Sequence, residues 1–167
     1  YQMANPSAIE AWVNVFHGNL GIALPDTFTT DLFLSTFDTL YAKLFDGVRH
    51  DSGDPFVFVD KIVNHYEKLH IDPMSKTIVF SDSLDIEKAV AIHNFCRGKV
   101  KDSYGIGTNL TNDVGVDPLN IVIKLVRCRA GADKPWYNTI KLSDDKGKYT
   151  GDPEEIAYCK ALLKRGC

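Results

Sequence analysis

Short apolar runs that end in polar residues, each followed by a segment of helical spacing, are the feature that most constrains this chain. "LGIAL" (Leu20–Leu24) precedes an amphipathic segment, Asp31–Phe45, in which Leu32, Phe33, Phe37, Leu40, Tyr41 and Leu44 make one broad apolar stripe. "GVRHDSGDP" leads into Pro55–Leu69, with Phe56, Val59, Val63 and Tyr66 on one face. "KTIVFSD" predicts a strand over Lys76–Phe80, followed by a helix that Asp85 caps and that runs to about Cys96. "VKDSYGIGT" closes a further strand on a glycine turn. Strand, helix, strand, helix with short connections predicts parallel strands covered by helices.

The flanks read differently. Asn5-Pro6 has the form of an N-cap and first-turn proline, ahead of Ile9, Trp12, Val13 and Phe16 at helical spacing, and Gly18 ends that helix. After Thr111 the alternation stops. "LNIVIKLVRC" (Leu119–Cys128) predicts a longer strand and "PWYNTIKLSDD" another; the turn "RAGADK" between them predicts a hairpin, and a last helix spans Pro153–Lys164 before Gly166. The expected division is residues 1–118, β/α units of part of a barrel, and 119–167, terminal strands and helix that complete the barrel or an adjoining mixed domain. A complete (β/α)₈ barrel takes about 250 residues. With 167 residues, the sheet is expected to be open or to be half of such a barrel.

Composition narrows the function classes. With 44% hydrophobic and 25% charged residues and a net charge of -3, the chain reads as an ordinary folded domain without the basic footprint of a nucleic-acid binder. No apolar run approaches the roughly 20 residues of a membrane span. Tyr1-Gln2-Met3-Ala4 carries no basic region before an apolar core and is not read as a secretory signal; the absent initiating methionine suggests a processed chain or a fragment. Cys96, Cys128, Cys159 and Cys167 show no C-x-x-C spacing, so reduced thiols in the cytoplasm are expected rather than zinc ligands or a disulfide framework.

Ligands of parallel α/β folds sit at the carboxyl ends of the strands. Three such ends are polar here: Arg49-His50-Asp51-Ser52-Gly53-Asp54, Ser81-Asp82-Ser83, and Gly105-Ile106-Gly107-Thr108-Asn109. Strand alternation points Arg49 and Asp51 to one side and His50 to the other. An Arg–Asp pair suits a ligand that carries both an anion and vicinal hydroxyls; it also suits a structural ion pair. Asp54 before Pro55 reads as a helix cap. "GIGTNLT" lets backbone approach a phosphate closely, with Thr108 as a hydroxyl donor, but matches neither G-x-G-x-x-G nor a Walker loop. With Asp85 as the helix cap, Asp82 is left for a ligand. His93 falls on a stripe with Ile86, Ala89 and Val90 and is read as a packing histidine; His17, His65 and His70 lack partners at metal-ligand spacing.

"GVRHDSGDP", "KTIVFSDSLD", "YGIGTNLTND" and "PLNIVIKLV", together with "LGIALPDTFTTDLF" and "KLSDDKGK", closely resemble the C-terminal part of nicotinate phosphoribosyltransferases, from about Trp12 to Lys148. The related nicotinamide-using enzymes share R-x-D-S-G-D-P but have a glycine-richer phosphate turn and no "FSDSLD". The resemblance implies a type II phosphoribosyltransferase fold, an irregular α/β barrel with an added mixed domain, working as a homodimer. It implies transfer of phosphoribosyl from phosphoribosyl pyrophosphate to nicotinic acid, giving nicotinate mononucleotide in NAD salvage. ATP would be a co-substrate, coupled through a phosphorylated histidine, and Mg2+ would accompany the pyrophosphate. Carried over by residue, Asp51 would hold the ribose hydroxyls and steady the oxocarbenium charge, and Arg49 would face the nicotinate carboxylate. Ser52 and Asp54 belong to the same substrate-binding segment. Gly105, Gly107 and Thr108, with Ser81 and Asp82, would cradle the 5′-phosphate and sugar; Asp26 and Thr27 would also line the site.

The pattern departs from the family in two respects; the more serious is that no His-Glu-Trp segment, which carries the phosphorylated histidine, occurs in the chain. "RAGADKPWYNT" is also longer than the family's turn. The chain is therefore expected to be an incomplete, inactive piece lacking an N-terminal half. The alternatives are a non-catalytic phosphoribosyl-binding half-barrel and another phosphate-binding α/β barrel enzyme. The latter calls for a lysine or glutamate at a strand end, and Lys124 lies within a predicted strand instead.

Overall fold

In the computed structural model, which describes residues 1–119 and 121–165, four parallel strands form one open sheet in strictly sequential order. They are β1 (Ile22–Ala23), β2 (Gly47–His50), β3 (Thr77–Phe80) and β4 (Lys101–Tyr104). Their register aligns Ile22 with Gly47, Val48 with Ile78, and Val79 with Ser103. Sequential order with right-handed crossovers places the connecting helices on one face, as in part of a barrel. Those helices are α1 (Ala4–Phe16), α2 (Thr30–Thr36), α3 (Thr39–Leu44), α4 (Pro55–Lys68) and α5 (Ile86–Cys96), the first leading into β1.

Strand alternation divides the sheet into two unlike faces. Val48, His50, Ile78 and Phe80 are buried against Val59, Ile62, Tyr66, Ile92 and Cys96 of the helices. The opposite face carries Gly47, Arg49, Thr77 and Val79, and the strands end on it in polar loops. Gly47 is required by close approach, since a Cβ there would lie 1.8 Å from the carbonyl oxygen of Thr77.

Several local expectations hold, with physical reasons. Asp54 caps α4, accepting from Phe56 N and Val57 N, and Asp85 caps α5 through Lys88 N. Pro55 opens α4, where its missing N–H costs nothing. Burial also explains Lys76, which the sequence pattern did not single out. Its ammonium donates to the carbonyls of Lys43 (3.0 Å) and Phe45 (2.6 Å), satisfying oxygens that the end of α3 leaves without intrahelical partners.

Four expectations change. The single helix over Asp31–Phe45 is two, broken at Phe37-Asp38, because the Asp38 carboxylate caps a new helix by accepting from Leu40 N and Tyr41 N. Met3, not Asn5, occupies the N-cap of α1, and Asn5 lies inside the first turn. The longer strand over Leu119–Cys128 reduces to β5 (Arg127–Cys128), paired antiparallel with β6 (Tyr137–Asn138) across the predicted turn. Leu119 is 92% and Ile123 91% exposed, so this apolar run has no surface among the described residues to pack on. His93 is half exposed and holds Asp102 Oδ2 at 2.9 Å through Nδ1, instead of packing in the core.

After the short α6 (Thr108–Thr111), the tail returns to the first strand. Leu142 N and Ser143 N donate to the carbonyls of Thr27 and Asp26 (2.8 and 3.1 Å), and Phe28, Leu142 and Cys159 form a second small core with α7 (Pro153–Arg165). Cys96 and Cys159 are buried and Cys128 exposed, all as free thiols; Cys167 and Gly166 lie outside the described residues. No helix among the described residues is long and apolar enough to cross a membrane.

Candidate functional site

The strand ends and the returning tail converge on one place. Arg49, at the end of β2, donates through Nη2 to Asp51 Oδ1 and through Nε to Ser81 Oγ, both at 2.7 Å. Ser81, just past β3, donates in turn to the carbonyl of His50 at 3.1 Å. Arg49, Asp51 and Ser81 thus form one cluster from two neighbouring strands. Two of the three guanidinium nitrogens are already engaged within the protein, so the side chain is pre-aimed rather than free.

His50 points the other way, as strand alternation requires. It is 1% exposed, meets Phe58 and Phe80 at ring-centroid distances of 5.0 and 5.7 Å, and has no hydrogen-bond partner on either ring nitrogen among the described residues. Desolvation lowers its pKa, so the imidazole is held neutral.

The glycine segment makes a separate small recess of about 370 Å³, lined by Ser81, Ser83, Leu84, Gly105, Gly107, Thr108 and Asn109. Neither glycine is required by positive φ. They matter because they leave space: a Cβ on Gly105 would stand 3.6 Å from Ser81 Cβ, while one on Gly107 would enter open space. Asn109 ties the recess together by donating to the carbonyl of Leu84 at 2.9 Å. Asp82 sits at its margin, accepting from Ser83 Oγ at 3.1 Å and lying 3.6 Å from Lys148 Nζ.

A larger open cleft of about 680 Å³ adjoins Asp51 and is walled by Lys124, Thr139, Lys141, Lys148, Tyr149 and Thr150, among others. Its lysines come from the tail. Lys141 Nζ lies 2.9 Å from Asp26 Oδ2 and 3.5 Å from Asp51 Oδ2. Lys148 pairs with Asp145 at 2.6 Å; this pairing raises the lysine pKa and lowers that of the carboxyl.

The remaining sequence-predicted residues lie deeper or aside. Ser52 is buried, donating to Asp26 Oδ2 at 2.7 Å and accepting from Asp144 N at 3.2 Å. Asp26 is 2% exposed, behind Lys141 rather than on the cleft wall. Thr27 borders a different, apolar recess with Trp12, Phe33 and Phe45. Asp54 is occupied in capping α4. Thr30 and Asp144, which sequence reasoning passed over, are linked by bonds from the threonine N–H (2.8 Å) and hydroxyl, which fasten the tail to the start of α2. Sequence carried one signal for Lys141 and Asp144: both lie in "KLSDDKGK", a motif used for the resemblance but not for the site.

Comparison with known proteins bears on this geometry. Residues 1–166 match the nicotinate phosphoribosyltransferase (NAPRTase) family. A nicotinate phosphoribosyltransferase of Desulforapulum autotrophicum is 72% identical over 99% of this chain and 43% of its own length. That of Chromohalobacter salexigens is 53% identical over 98% of this chain and 42% of its own length. The crystal structure of a nicotinate phosphoribosyltransferase from Porphyromonas gingivalis superposes with a TM-score of 0.95 at 52% identity, covering 98% of this chain and 43% of that one. The chain therefore spans 43% and 42% of the lengths of these two curated relatives.

Proposed function

The chain belongs to the nicotinate phosphoribosyltransferase family, and on that premise we propose that it supplies the phosphoribosyl-binding part of an enzyme joining nicotinic acid to phosphoribosyl pyrophosphate, a salvage step toward NAD. The observation that carries this reading is the Arg49–Asp51–Ser81 cluster, which stands between the glycine-lined recess and the lysine-walled cleft. The recess suits the 5′-phosphate: it is open, small and lined by hydroxyls, amides and two glycines. Asp51 accepts the ribose hydroxyls and stabilises positive charge as the bond from the anomeric carbon to pyrophosphate breaks. Pyrophosphate leaves with the bonding electron pair, and the ring nitrogen of nicotinate forms the new C–N bond. Arg49 faces the nicotinate carboxylate, and Lys124 and Lys148 of the cleft wall face the departing phosphates.

Asp51 and Asp26 are both neutralised by cations of the protein, which favours magnesium arriving with the pyrophosphate of the donor over magnesium held as a resident ion. ATP coupling through a phosphohistidine and a homodimeric assembly belong to the same proposal. No His-Glu-Trp segment lies within the 167 residues, so the chain by itself is proposed to bind the donor without turning it over.

The test is formation of nicotinate mononucleotide from nicotinate and phosphoribosyl pyrophosphate by the longest polypeptide that carries this chain, with nicotinamide as the competing substrate. Product from nicotinate supports the reading. Product from nicotinamide alone, or none from either, overturns it.

A further inference from the structure

Four charges are stacked at the end of β2, two from the strand-end loops of β1 and β2 and one from the tail, with Arg49 closing the set. Asp51 is gripped at both oxygens: Oδ1 by Arg49 Nη2 at 2.7 Å and Oδ2 by Lys141 Nζ at 3.5 Å. Lys141 is held from behind by Asp26 at 2.9 Å, and Asp26 is fixed by Ser52 Oγ at 2.7 Å. The backbone seats the same residues, because Ser143 N donates to the carbonyl of Asp26 at 3.1 Å. A lysine stem is flexible, so an ammonium that is to hold a neighbouring carboxylate needs such an anchor.

We propose that Lys141 is the positioning residue for Asp51, with Asp26 as its anchor. Its consequence for turnover rests on the phosphoribosyl-transfer reading; its geometric content does not. One cation on each oxygen fixes the plane of the Asp51 carboxylate. Without Lys141 only Oδ1 is held, by Arg49 at 2.7 Å and Ser81 Oγ at 3.4 Å, and the group could swing about that one oxygen. The ammonium of Lys141 also faces the open cleft, with the side chain 32% exposed, whereas Asp26 is 2% exposed and keeps one oxygen, Oδ1, unpartnered among the described residues. Asp26 thus acts through Lys141 and does not meet a ligand directly. A pair serving stability alone can often be replaced by uncharged side chains with little loss; a positioning pair cannot be without loss of turnover.

That difference is the test. In the longest polypeptide that carries this chain, Lys141→Met leaves Asp26 buried without its cation and lowers the melting temperature. Adding Asp26→Asn removes both charges and restores it. Positioning predicts that the double variant keeps a kcat about 10²-fold low with the KM for the phosphoribosyl donor little changed, and that Lys141→Arg retains most of the turnover. Recovery of kcat together with the melting temperature overturns the proposal. A crystal structure of the double variant reads the geometry without any assay. Asp51 turned away from Arg49 and Ser81 supports positioning, and Asp51 unmoved overturns it. An unsubstituted protein that makes no nicotinate mononucleotide defeats the functional reading, and the place of Asp51 in the double variant still decides the role of Lys141.

Discussion

The imidazole of His50 meets the ring of Phe58 edge-on, with centroids 5.0 Å apart, on the side of β2 opposite to Arg49. One residue of the strand therefore serves the core and its two polar neighbours, Arg49 and Asp51, serve the candidate site. Because His50 is buried without a hydrogen-bond partner among the described residues, its neutral form is the one that packs.

This fixes the sign of a pH effect. The folded-state pKa of His50 is lowered by desolvation, so on acidification the unfolded chain takes up the proton first, near its ordinary value of about 6.5. Stability is then lost as the pH falls below that value, at up to about 1.4 kcal/mol per pH unit for this one group. Urea unfolding midpoints measured from pH 7 to pH 5 should fall more steeply for the unsubstituted chain than for His50→Phe. Equal slopes would remove His50 as a cause.

Asp51→Ala should reduce product formation by at least about 10²-fold while leaving the melting temperature nearly unchanged. Its side chain is partly exposed, and neither of its cations is left unpaired, since Arg49 keeps Ser81 and Lys141 keeps Asp26. Steady-state kinetics with circular-dichroism melts would check both halves. Turnover near normal would take Asp51 out of the chemistry.

Arg49→Lys keeps the charge but cannot reproduce the arrangement of Nε on Ser81 and Nη2 on Asp51. The expected result is a raised KM for nicotinate with a stability change of about 1 kcal/mol or less, because the side chain is half exposed. An unchanged nicotinate KM would mark the arginine as structural.

The glycines separate folding from binding. Gly47→Ala drives a methyl group against the Thr77 carbonyl in the middle of the sheet and should cost more than about 3 kcal/mol or prevent folding. Gly107→Ala meets nothing in the protein and should fold normally, yet it narrows the recess lined by Ser81 and Thr108. Its expected signature is a raised KM for phosphoribosyl pyrophosphate at unchanged melting temperature. An unchanged KM would remove the recess from the phosphate site.

Wherever the cause is local, the sequence alone was sufficient. Strand alternation put Arg49 and Asp51 together and His50 beneath them, Asp54 and Asp85 announced the helices they cap, and the β/α repetition implied the parallel sheet. Each depends on neighbours a few residues apart, whose geometry the backbone dictates. The tertiary structure decided the rest. A stripe of apolar residues across 31–45 does not show that Asp38 will start a new helix, because helical spacing survives the break. The apolarity of Leu119–Val126 does not say whether a partner strand stands beside it; among the described residues the ladder is confined to Arg127–Cys128 against Tyr137–Asn138. The stripe containing His93 has the right period but faces outward, since Ile92 and Cys96 are the residues of α5 that reach the core. Lys141 reaches Asp51 across 90 residues of chain. No periodicity encodes that meeting; it exists because the tail pairs with the end of β1 and carries its lysines over the strand ends.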